Sequence, residues 1–268
     1  MPLAAALALT GVAALAQTRP LQTEEATTAP SGTLVFETGG DLMGQEPNFL
    51  TGRQRTRYSG PLLRLVYSPS DNVETDLEWV AFVGAVRDPD FPNASDRGDV
   101  TLRAKIRFVD GRGKGPTLGA RFWVSLPETK SIEGLGPNTL REAAEGLLST
   151  PLGTATLHLN AGLLLFDEVL HPHSQRDFLS YGAALQQPLG ARCEIVAESA
   201  GRLGKGSPGS DASSELRAGF RWKSGAVRYD AALRRGLGAA DGKWGFTLGL
   251  AWTARRGGGT PQAPPPAP

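Results

Sequence analysis

The chain has one cysteine, Cys193, three histidines and no real excess of either charge, and each shortage removes a class of function. One thiol makes neither an intramolecular disulfide framework nor a thiolate metal cage. With 28 Lys and Arg against 27 Asp and Glu, spread over the whole length, there is no basic footprint for nucleic acid and no acidic tail. A nucleic-acid partner is therefore not expected. Beyond residue 20 no uncharged run approaches the roughly 18 apolar residues of a membrane-spanning helix, and a mean hydropathy of -0.21 is low for a helical membrane protein. No Ser-centred nucleophile elbow occurs, and residues 201–207 (GRLGKGS) lack both the first glycine and the hydroxyl residue of a phosphate loop. Catalytic residues, a metal and a cofactor are all unexpected.

What the chain does contain is a recurring alternation, framed by two unlike ends. Residues 2–16 (PLAAALALTGVAALA) form an apolar run closing on Ala14, Leu15 and Ala16, a small-x-small cleavage pattern, so 1–16 reads as a signal peptide for export. No Lys or Arg precedes the run, which points to a start codon upstream. Residues 17–31 (QTRPLQTEEATTAPS) read as a polar, flexible periplasmic lead-in, and 255–268 as a disordered Pro-rich tail too poor in apolar groups to pack. The span 32–254 remains for the fold.

Within it, period-2 segments recur at 32–42, 58–67, 73–85, 98–108, 116–126, 138–149, 154–166, 177–187, 192–203, 212–222, 226–236 and 243–253. The first and sixth alternate less cleanly, and residues 139–148 (TLREAAEGLL) also suit a helix. Tight connections rich in Gly, Pro, Asn and Asp, such as 68–72, 110–115 and 223–225, alternate with mostly longer polar ones, such as 43–57, 86–97 and 127–137. Twelve strands with short turns on one rim and long loops on the other predict an all-β fold, a transmembrane antiparallel up-and-down β-barrel.

Alternation alone also suits a soluble sandwich with its apolar face inward, so the opposite face decides. Val100, Leu102, Ala104, Ile106 and Phe108 oppose Thr101, Arg103, Lys105 and Arg107, and Leu216, Ala218, Phe220 and Trp222 oppose Glu215, Arg217, Gly219 and Arg221. Over the six clearest strands 28 apolar-face positions carry no charge, against 21% charged residues overall, which random placement achieves about once in 700 tries. A Lys or Arg at mid-bilayer on a lipid face costs roughly 2–4 kcal/mol, which explains the exclusion. Twelve strands closed with the apolar face inward would also leave a void that side chains cannot fill. Trp222, Trp252, Tyr67 and Phe108 fall near the short-turn rim, with Trp244, Phe246 and Trp79 nearer the other or within the band, as interfacial girdles require.

The same registers send Arg64, Glu74, Asp76, Glu78, Arg103, Lys105, Arg107, Arg121, His158, Glu194, Glu198, Glu215, Arg217, Arg221, Arg228 and Asp230 into the lumen. Cross-strand pairs of Glu78 with Arg103 or Arg64, and of Glu198 with Arg217, are expected. Such a lining either selects solutes, as charged rings do in pores, or fills the bore with salt bridges. His171 and His173, with Asp167, Glu168 and Asp177, offer ligands for only a weak metal site and read as an exposed loop.

From residue 98 onward the chain resembles the outer-membrane proteins named for the MetA-pathway of phenol degradation, through 98–105 (GDVTLRAK), 119–127 (GARFWVSLP), 152–160 (LGTATLHLN) and 244–252 (WGFTLGLAW). The resemblance implies a bacterial outer-membrane transporter for small molecules, with hydrophobic or aromatic compounds as the solute class. Outer-membrane lipid, the outer-membrane assembly machinery and a small-molecule solute are then the partners. The chain departs in its tail, since such barrels end at an aromatic residue and Trp252 lies inside the chain. A lipid-modifying outer-membrane enzyme, which needs a Ser and a His together, and a structural barrel with partner-binding loops are the alternatives.

Overall fold

In the computed structural model, which describes residues 19–255 except Pro172, fourteen strand segments run in sequence order. They are β1 (Thr33–Pro47), β2 (Gln54–Ser70), β3 (Val73–Val80), β4 (Val83–Val86), β5 (Ser95–Asp96), β6 (Val100–Val109), β7 (Thr117–Leu126), β8 (Arg141–Leu152), β9 (Ala155–Asp167), β10 (Gln175–Pro188), β11 (Cys193–Leu203), β12 (Ser213–Ser224), β13 (Val227–Gly236) and β14 (Trp244–Arg255). Segments β3 and β4 are two halves of one stave against β2, and β5 and β6 are two halves of the next. Every neighbouring pair is antiparallel, and β14 returns to β1 from Thr33 opposite Arg255 to Gly44 opposite Trp244. Twelve staves therefore close a barrel, which leaves no open sheet edge for lipid to meet.

Gly153 and Gly225 turn the chain between β8 and β9 and between β12 and β13 with φ of 64° and 63°, a conformation that costs glycine nothing. Segment 139–148 is strand, not helix, from Arg141 onward, because pairing with β7 on one side and β9 on the other outweighs the propensity of its Glu and Ala residues.

The burial pattern is the inverse of a soluble protein's. Leu77, Leu102, Phe122, Leu163, Leu179, Ile195, Phe220 and Leu248 are exposed, and Leu233 reaches 72%, while Glu37, Arg64, Glu145, Glu198 and Arg221 are buried on the inner side. Lipid against the outer face is the environment in which that arrangement is favourable. Exposed Tyr67, Phe108, Trp222 and Trp252 ring the short-turn rim, and Trp222 stacks on Tyr229 at 5.6 Å.

The largest departure from the sequence reading is at the start of the described chain. Residues 19–31, expected as a flexible lead-in, are packed inside the barrel, most of them buried. Their polar composition suits this place, because the wall around them is itself charged. The signal peptide at 1–16, residues 17 and 18, and 256–268 of the Pro-rich tail lie outside the described residues, and β14 extends through Arg255.

Candidate functional site

Residues 19–31 enter at the short-turn rim, where Gly32 N–H donates to Ser68 O and Ser31 N–H to the Asp71 carboxylate. The segment then sweeps across the lumen without joining the sheet; the wall's side chains satisfy its backbone instead. Ala29 N–H donates to Glu74 at 2.6 Å, Ala26 N–H to Ser149 Oγ at 2.8 Å and Glu24 N–H to Asn160 Oδ1 at 2.6 Å. Glu198 accepts both Gln22 N–H at 2.8 Å and Thr23 N–H at 2.8 Å. Arg217 and Arg221 donate to the carbonyls of Pro20 and Arg19, each at 2.8 Å. Leu21 supplies an apolar contact in a pocket with Ala184 and Val196.

The charged side chains of the segment complete the anchoring. Glu24 receives Lys105 at 3.0 Å, Arg121 at 3.2 Å and Arg64 at 3.8 Å, Glu25 faces Arg221 at 3.5 Å, and Arg19 faces Asp230 at 3.5 Å. The wall makes room at its glycines: a Cβ on Gly182 would fall 2.7 Å from Thr23 Oγ1, and one on Gly39 or Gly249 would fall 2.5 Å from the Arg19 guanidinium. The barrel interior is thus shaped around this segment.

The inward residues named from the sequence take distinct places around it. Asp76 joins Arg64 and Arg103, each at 2.8 Å, and Glu78 joins Arg103 at 2.9 Å, so Glu78 pairs across to Arg103 while Arg64 is held by Asp76. Glu74 meets Lys105 at 2.5 Å, Glu198 meets Arg217 at 3.5 Å, and Glu215 meets Arg217 at 2.5 Å. Glu194 binds Lys223 at 2.6 Å and lies 3.8 Å from Arg221, while Arg228 sits between Glu37 at 3.3 Å and Asp230 at 3.8 Å. Arg121 pairs with Glu145 at 2.5 Å. Arg107 is the exception, held at the short-turn rim by Asp110 at 2.9 Å.

Several contributors escaped the sequence reading. Glu37 and Asp41 project inward from β1, where extending the alternation of Leu34, Phe36 and Leu42 would have found them. Glu145 was hidden by the helical look of its segment. Arg234 from β13 holds Glu215 at 2.8 Å and Asp41 at 3.1 Å. The structure also brings a serine and a histidine together, contrary to the sequence reading: Ser149 Oγ lies 2.8 Å from His158 Nδ1. Both are buried inside the barrel, and Ser149 Oγ also accepts Ala26 N–H at 2.8 Å. At the long-loop rim, His171 Nδ1 is 2.9 Å from Glu168, which Arg176 also pairs with. Among the described residues no group of three His, Cys, Asp or Glu is placed to hold a metal.

Above the segment, on the long-loop side, the lumen opens into a cavity of about 670 Å³ floored by Arg19, Pro20, Leu21, Gln22 and Glu24. Its lining, floor included, carries ten arginines against seven carboxylates, with Trp123 and Phe166 in the wall. The long loops over it are tied together by Asn48, Arg55 and Asp88. Asn48 Nδ2 donates to Asp88 at 2.9 Å and to Glu133 O at 3.2 Å, and Arg55 donates to Gly134 O at 2.5 Å. Asp88 also accepts the backbone N–H groups of Asp90 and Phe91. Burial alone would raise the Asp88 carboxyl, but the hydrogen bonds from Asn48, Asp90 and Phe91 and the Arg55 charge hold it below the usual carboxylate range.

A closed twelve-stave barrel with an apolar outer belt, charged lumen and paired short and long rims defines an outer-membrane β-barrel. Solved structures share that fold. The translocator domain of the autotransporter NalP from Neisseria meningitidis is 12% identical, with 84% of this chain and 89% of that one covered at a TM-score of 0.50. The KdgM porin in complex with disordered oligogalacturonate is 6% identical, with 82% and 98% covered at 0.51, and the beta domain of the Bordetella autotransporter BrkA is 12% identical, with 83% and 99% covered at 0.52. At these identities the likeness is one of fold. No family model matches the chain, and no curated protein matches its sequence.

Proposed function

We propose that this protein is an outer-membrane channel for small molecules that rests closed by its own residues 19–31. The observation that carries the reading is the combination of a cavity open toward the long loops and a floor made by a segment that joins no strand. A segment held by side-chain contacts can leave without breaking a sheet ladder, so opening leaves the barrel intact. In outer-membrane barrels the short turns face the periplasm, so solute enters from outside through the long loops and the segment sits at the periplasmic half.

The polar wall favours polar solutes over wholly hydrophobic ones, which narrows the class that the MetA-pathway resemblance implies. The buried Ser149 and His158 pair supports a structural role and not lipid hydrolysis, and the lumen, not the loops, carries the unusual chemistry. Liposome swelling with solutes of graded size and charge tests the proposal. Vesicles holding the protein should admit small polar solutes slowly, and uptake no faster than through protein-free vesicles under every condition, including with residues 19–31 removed, would refute it.

A further inference from the structure

Of the ten arginines that line the cavity, nine have a carboxylate within 4.0 Å among the described residues; Arg202 does not. Arg202 is nonetheless held firmly. Its Nε donates to the Asp211 backbone carbonyl at 2.6 Å, and its guanidinium lies over the rings of Phe166 at 5.2 Å and Phe178 at 5.8 Å. These contacts fix its plane and leave both Nη groups without a hydrogen-bond partner among the described residues. Arg141 lies over the same Phe166 ring at 5.9 Å, with its own charge matched by Asp99. Beside them on the same cavity wall Trp123 stands 6.5 Å from Phe166 and is only partly buried, so Phe166 links a half-exposed indole to a cation whose nearest cavity carboxylates, Asp211 and Asp241, lie beyond ion-pair distance.

A fixed guanidinium fork with free Nη–H groups is suited to a carboxylate, which it can hold through two parallel hydrogen bonds. An aliphatic or fully hydrated anion would leave the indole face unused. We propose that Arg202 is the carboxylate-binding residue of the cavity and that the solute class is a small aromatic carboxylate, its ring resting against Trp123. The inference deepens the channel reading and rests on it for the claim that the bound molecule is a transported solute. The site itself is complete in the closed barrel.

Equilibrium binding to the full chain in nanodiscs, read by calorimetry with benzoate, benzyl alcohol, benzylamine and acetate, tests it. Benzoate should bind at least about tenfold more tightly than the alcohol, the amine or acetate, since only benzoate offers both charge and ring. Arg202→Gln should bring benzoate down to the level of the alcohol, and Trp123→Leu should weaken benzoate while leaving acetate unchanged. Equal binding of benzoate and benzyl alcohol, or no effect of Arg202→Gln in a barrel that keeps its heat-modifiable migration, overturns the site. If Arg202→Gln does not fold, the four-ligand comparison on the unaltered chain decides alone. Binding without conductance contradicts the channel reading and leaves the site standing; conductance with no preference for benzoate does the reverse.

Discussion

Glu24→Gln is the substitution that isolates the closure. Glu24 is buried and faces Lys105, Arg121 and Arg64 at 3.0, 3.2 and 3.8 Å, so the amide removes one negative charge from among three cations while conserving volume. Removing one partner of a buried ion pair typically costs about 3–5 kcal/mol. Here Lys105 keeps Glu74, Arg121 keeps Glu145 and Arg64 keeps Asp76 and Glu37, which places the loss near the lower end. About 3 kcal/mol corresponds to roughly a hundredfold change in the ratio of closed to open states. The same three cations remain compensated when the segment is displaced, so the loss falls on the closed state and not on the barrel. In planar bilayers the open probability of the variant should rise about a hundredfold at unchanged single-channel amplitude, with Glu24→Asp in between. An open probability equal to that of the unaltered chain, in protein of normal heat-modifiable migration, would refute the reasoning.

Other predictions follow from the same geometry. Gly182→Val puts side-chain atoms into the space held by Thr23, whose Oγ1 would be 2.7 Å from the new Cβ, so it should also raise open probability, whereas Gly153→Ala at a turn facing nothing should not. Phe122→Arg, at an exposed position midway along β7, should destabilise the folded barrel by roughly 2–4 kcal/mol in urea unfolding in lipid, and a change under 1 kcal/mol would argue against lipid on that face. The Asp88 carboxyl is held below the usual aspartate range, so its contribution to tying the long loops is fully present above about pH 4 and fades as pH falls through its folded-state value. Hydrogen-exchange protection in the loop at 87–94, measured relative to the intrinsic rate at each pH, should fall below pH 4, and Asp88→Asn should bring the lower protection to neutral pH.

The barrel was legible because lipid imposes a rule on every second residue. An outward charge is costly at each position, so the pattern of Leu102, Ala104 and Ile106 against Arg103 and Lys105 survives any local propensity. The same rule sets which charges are expected to turn inward, and the registers place Glu198 opposite Arg217 and Asp76 opposite Arg103. Residues 19–31 obeyed no such rule. They sit in no ladder, so no period marks them, and their backbone is satisfied by Glu198, Asn160, Ser149 and Glu74, far away in sequence. The one local signal was on the wall, where Gly39, Gly182 and Gly249 leave inward space at mid-strand that a purely water-filled bore would not need. The Arg202 site was likewise out of reach, because its character is the lack of a carboxylate within ion-pair distance among the described residues, a property of the assembled wall and not of any segment.

The most direct test of closure from within is single-channel recording of the chain beside the same chain lacking residues 19–31, both checked for heat-modifiable migration. The full chain should show long closed periods with rare openings, and the shortened one a persistently open pore of the same ion selectivity. Equal conductance and equal open times in the two would contradict the account.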